Sequence, residues 1–185
     1  TDPEAFFQPL DETNERYEEL IENPGWLFYG PKFPSKEAVL EARSRMFSKH
    51  ANTTFISLHF GNWPEDLDYV ADLLNRHPNV VVEFGARQAE LGRQPRRARR
   101  FFLEYQERIL FGTDFTFSEE MYRNHFRWLE TADEYFDYWG YPGQGRWKIY
   151  GLQLPDNVLE KVYHLNAEKI FSQFKGLTVK GGGGQ

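Results

Sequence analysis

The sequence predicts an α/β fold built on a parallel sheet. Two observations predict it. Short apolar runs at 54–59 (TFISLH), 80–84 (VVVEF) and 109–111 (ILF) alternate with stretches of helical spacing, which is the pattern of βαβ units. Each run then stops at glycine or a polar residue: His59 with Gly61 and Asn62, Glu83 with Gly85 and Arg87, Gly112 with Asp114. An unbroken apolar run bounded by turn residues fits a strand covered on both faces.

The elements follow in order. Residues 1–30 are rich in turns and rings, with Asn23-Pro24-Gly25 as a boundary signal. Residues 16–22 suit a short acidic helix. Phe6, Phe7, Trp26, Phe28 and Tyr29 are many rings for a loop, and packing on a core is favoured over lining a cavity mouth. Ser35 begins a helix with Glu37 and Glu41 early, and Ala38, Val39, Ala42, Met46 and Phe47 at helical spacing. Asn52 and Thr53 end it, and the β-branched run 54–59 reads as a strand. A second helix is expected over 64–77, with Pro64 in its first turn and Leu67, Val70, Ala71 and Leu74 on one face. Pro78 and Asn79 stop it before the second strand. Residues 85–92 form a loop or short helix, and 95–106 a basic helix that leads into the third strand. Residues 131–151 carry Tyr135, Phe136, Tyr138, Trp139, Tyr141, Trp147 and Tyr150 among glycines, the make-up of an ordered loop, a lid or a subunit contact. The end, 176–185, reads as a flexible glycine-rich tail.

Composition narrows the function classes. A chain of 185 residues with 40% hydrophobic and 17% aromatic content can bury a core. Net charge is −6, which argues against a general nucleic-acid binder. Residues 93–100 hold five arginines, and in this acidic chain a solvated helix face is favoured over a nucleic-acid patch. Without cysteine there is no disulfide framework and no thiolate metal site. No run is long enough to span a membrane and no signal peptide is visible, so the expectation is a cytoplasmic protein.

Ligands of α/β folds bind beyond the C-terminal ends of the strands. His59 and Asp114 both stand there, 55 residues apart, with one strand between them. An imidazole and a carboxylate together suit proton transfer or metal ligation. Asp114 could instead cap the next segment, and a lone histidine is more often structural. Arg87 could pair with a substrate carboxylate or serve a structural ion pair. Asn62 and Trp63 could line the same pocket, with Trp63 also suited to the core. His50 and His77 fall at helix C-termini, where cations are favoured, and His125 and His164 lie in helical stretches.

Four segments resemble one family: HFGN at 59–62, HPNVVVEF at 77–84, RILFGTDF at 108–115 and VLEKVYHLNAEKIF at 158–171. They are similar to the metal-dependent amidohydrolase-related proteins, TIM-barrel hydrolases and decarboxylases akin to aminocarboxymuconate semialdehyde decarboxylase. The segment ARQAELGRQPRRARRFF at 86–102 looks like a subgroup known simply as amidohydrolases. The resemblance implies that His59 is the catalytic histidine closing the sixth strand. It implies that Asp114 closes the eighth as metal ligand or proton carrier. The family's other ligands, a His-x-His pair and a histidine on the fifth strand, have no match here, since no histidine precedes His50.

The expectation is therefore a partial (β/α)8 TIM barrel of the metal-dependent hydrolase type, its last three strands with their helices, over residues 1–175. The complete protein would use a divalent metal, zinc by preference, with Asp114 as ligand. It would hydrolyse a small organic substrate held by Arg87 and Asn62, with His59 and Asp114 catalytic; decarboxylation is the alternative. A non-catalytic α/β binding module is the rival class. A small-molecule partner and a homo-oligomer are expected, without nucleic acid or membrane.

Overall fold

A computed structural model describes residues 5–172; the tail expected at 176–185 lies outside the described residues. Three parallel strands make one sheet in the order β1 (Phe55–Ser57), β2 (Val80–Glu83), β3 (Ile109–Leu110). Phe55 faces Val80 and Ser57 faces Val82 across one ladder; Val82 faces Ile109 and Glu83 faces Leu110 across the other. The strands are shorter than the apolar runs. The chain leaves β1 at Leu58, and Phe111 gives its N–H to the carbonyl of Val162 (3.0 Å) rather than to β2.

Alternation along these strands sorts the side chains into two faces. Val80, Val82 and Ile109 occupy one face and are fully buried. They join the core formed by α4 (Leu67–Arg76), α5 (Gln88–Gly92), α6 (Pro95–Glu104), α7 (Glu119–Glu130) and α8 (Asp156–Glu160). Phe84 continues this core past the end of β2, edge-on to Trp128 at 5.4 Å. Ile56, Val81, Glu83 and Leu110 take the other face, and Val81 and Leu110 stand outside that core. Beside them Leu58 is 53% exposed. A parallel sheet with its helices on one side is consistent with part of a barrel.

Local chemistry explains most boundaries. Helix α1 (Tyr17–Glu22) is the expected short acidic helix. Ser35 caps α2 (Lys36–Lys49) by accepting from the Ala38 N–H, and Ser118 caps α7 in the same way through Met121. Two expectations are corrected. The buried stripe of α2 is Lys36, Leu40, Ser44 and Phe47, while Val39 and Met46 are 45% and 43% exposed. The apolar residues of this helix form no single face, so tertiary packing chose a mixed stripe. Helix α4 starts later than expected, because Asp66 and not Pro64 provides the start by accepting from Tyr69 N–H. The arginines of 93–100 are solvated or half-buried, with Arg93 paired to Glu15 (2.8 Å) and Arg97 to Asp68 (2.9 Å).

The closing segment passes from α8 through a π turn at Lys161–Leu165 into α9 (Asn166–Ile170). A widened turn releases a carbonyl, and Val162 spends it on Phe111. Buried Asn166 donates to the carbonyls of Ile109 (2.8 Å) and Gln106 (2.7 Å), so this helix is pinned to β3. No helix among the described residues is long and apolar enough to cross a membrane.

Candidate functional site

Each strand is followed by a residue in the left-handed region: His59 (φ 53°) after β1, Ala86 (φ 53°) after β2 and Asp114 (φ 60°) after β3. Such backbone costs about 1–3 kcal/mol at a residue with a side chain, and it persists where surrounding contacts impose it. Those contacts are visible. The single turn α3 (Leu58–Gly61) holds His59 and Phe60 left-handed, with Phe60 buried against Phe101 and Phe102. Ala86 gives its N–H to the carbonyl of Thr113 (2.9 Å), which ties the end of β2 to the end of β3. Gly85 lets Asp114 approach: a Cβ there would lie 3.1 Å from the Cβ of Asp114 and 2.8 Å from a Glu83 oxygen.

These turns deliver His59, Arg87 and Asp114 to the wall of one cavity of about 890 Å³. Phe6, Trp26 and Phe28 from the N-terminal segment and Trp139 from the aromatic loop add rings to it. The rings of 1–30 therefore pack on one another and also form the wall, whereas packing alone was the favoured expectation. Asn62 is placed elsewhere. It lines a smaller pocket of about 330 Å³ with Arg43, His59 and Arg87, and its Oδ1 accepts from Arg43 (2.8 Å).

The His59 ring has a defined state. Nδ1 stands 2.9 Å from the carbonyl of Gly85, which only accepts, so Nδ1–H is the donor. In the neutral ring the lone pair is then on Nε2. Asp114 is exposed, and Arg87 is buried in the wall with Nη1 donating to the Ala86 carbonyl (3.0 Å).

Several contacts of the site gave no separate signal in the sequence. Glu83 accepts from the N–H of His59 (2.9 Å) and of Gly85 (2.7 Å). Gln144 reaches from the aromatic loop to the Ala86 carbonyl (3.0 Å). Arg16 forms a buried ion pair with Glu90 and another with Glu19 (2.9 Å). All but the Glu83–Gly85 and Arg16–Glu19 links join residues far apart in the chain, so only the fold reveals them. Tyr138 anchors the loop: its hydroxyl donates to the Gly145 carbonyl (2.7 Å) and accepts from Gln144 N–H (2.8 Å). Burial pushes that phenol up to about 12.

A catalytic zinc takes three protein ligands and keeps one open position. Among the described residues, no group of three His, Cys, Asp or Glu side chains is placed to hold a metal ion. The carboxylate of Glu83 already serves two backbone N–H groups. The donors of the described residues therefore do not fit a complete metal centre.

A family model described as amidohydrolase matches residues 8–173. Searches of curated proteins and of solved structures find no match.

Proposed function

The chain belongs to the amidohydrolase family, and from that premise we propose that the strand-end cavity is the substrate site of a hydrolase acting on a small organic molecule. The observation that carries this reading is the convergence of His59, Arg87 and Asp114, from three different strand ends, on one cavity. His59 Nε2 acts as the proton carrier and Asp114 as the proton acceptor. Arg87 orients a carboxylate of the substrate with its fork of N–H groups. Asn62, held by Arg43, shapes the adjoining pocket. Decarboxylation is the second reading, favoured by an arginine in the same wall as the histidine; there the proton that replaces CO₂ on carbon comes from His59.

Family members generally use divalent metals. In this reading Asp114 would be a ligand to such an ion, and zinc is the preferred one. The three strands of the described residues then correspond to the last three of a barrel of the aminocarboxymuconate semialdehyde decarboxylase type. The test is kinetic. In the active protein, His59→Asn lowers kcat by about 10²–10⁴-fold. Asp114→Asn abolishes turnover and weakens metal binding. Wild-type rates in either variant reject the role assigned to that residue.

A further inference from the structure

We infer that Glu83 is a positioning residue that locks the His59 ring in its working orientation and tautomer. Glu83 stands at the last position of β2, on the face away from the helical core, and is not among the residues lining the cavity. Its carboxylate joins two strand ends. Oε1 accepts from the backbone N–H of His59 (2.9 Å), and Oε2 accepts from that of Gly85 (2.7 Å). Gly85 in turn presents the carbonyl that receives His59 Nδ1–H (2.9 Å). One carboxylate thus fixes both ends of a closed loop of contacts: the backbone of His59 and the carbonyl that chooses its tautomer. Bonds from N–H to an ionised acceptor are the strong kind, suited to holding a left-handed residue in place.

The space around Glu83 is kept for it. A Cβ at Gly112, after β3, would collide with Oε2, and a Cβ at Gly85 would lie 2.8 Å from the same oxygen. Gly112 is not in the left-handed region, so its backbone accepts alanine and only the carboxylate excludes it. The glycine of the GTD run is a docking space for Glu83.

This inference rests on the reading of His59 as proton carrier, and the experiment separates the two. The ring ¹⁵N signals of His59 are recorded for wild type, Glu83→Gln and Gly112→Ala, together with kcat and KM. Glu83→Gln keeps the shape but turns an amide N–H₂ toward one of the two backbone donors. Gly112→Ala leaves residue 83 unchanged and evicts its side chain. Both variants are expected to lose the pattern of a single Nδ1–H tautomer and to lower kcat about 10- to 100-fold, with KM within about threefold. In the background of Glu83→Ala, adding Gly112→Ala is expected to cost nothing more, because the methyl enters vacated space. Wild-type ring signals in both variants overturn the inference. Altered ring signals with unchanged kcat support the positioning role and remove His59 from the chemistry.

Discussion

His59 has one ring nitrogen committed to the Gly85 carbonyl, and that commitment leaves Nε2 for chemistry. His59 and Asp114 were legible in the sequence because a polar residue directly after an apolar run is conspicuous. Glu83 was legible as a strand-end residue but its role was not, since a carboxylate closing a strand is ordinary and its partner lies 24 residues away across the sheet. Asn62 shows the opposite limit. Adjacency to His59 suggested the same pocket, but left-handed backbone (φ 59°) turns it toward Arg43. At Arg87, a lysine keeps the charge and loses the planar fork. Arg87→Lys is expected to raise KM for a carboxylate substrate about tenfold with kcat little changed, the signature of lost uniform binding. An unchanged KM would remove Arg87 from substrate recognition.

At the scale of elements, helices with conventional starts were legible and those shaped by packing were not. Ser35 announced α2, yet the face that α2 buries includes Lys36 and Ser44 and omits Met46. The π turn at Lys161–Leu165 had no sequence cue, because it exists to free a carbonyl for Phe111. Removing the cap at Ser118 by Ser118→Ala is expected to cost about 1 kcal/mol, measured by denaturant unfolding. The aromatic loop depends on a neutral Tyr138. Its folded value of about 12 lies above the unfolded value of about 10. The folded state therefore holds the proton more tightly, and the stabilisation is complete below about pH 10 and lost as pH rises toward 12. Tyr138→Phe is expected to flatten that alkaline decline, seen as thermal stability against pH; the same decline in the variant would place its cause elsewhere.

At the scale of the described molecule, the main hydrophobic core lies between the helices and one face of the sheet, and this governs its stability. Phe84 sits where sheet and helices meet, among Phe102, Phe111 and Trp128. Phe84→Ala is expected to cost about 3–5 kcal/mol. Two buried histidines set the acid side. Burial lowers the values of His77 and His125, and beside His77 the Arg76 charge lowers it further. A depressed value means the unfolded chain takes the proton first, so stability is present above about pH 6.5 and is lost as pH falls below it. The sequence places His77 at a helix end, where a cation is favoured; burial beside Ser44 (2.7 Å) works against that charge. His125→Phe is expected to flatten the acid decline in thermal stability below about pH 6.5. The βαβ order and all three strands were legible at this scale. What covers each face was not, because periodicity locates a strand without stating its partners.

The central claim, that His59, Arg87 and Asp114 border one substrate site, is tested most directly by amide and imidazole NMR during titration with a small aromatic carboxylate such as benzoate. The expected result is a saturable shift at residues 59, 85–87, 112–115 and 139–144 together, lost in Arg87→Leu. Shifts confined to the pocket of Arg43 and Asn62, or scattered over the arginine-rich face of α6, would contradict it.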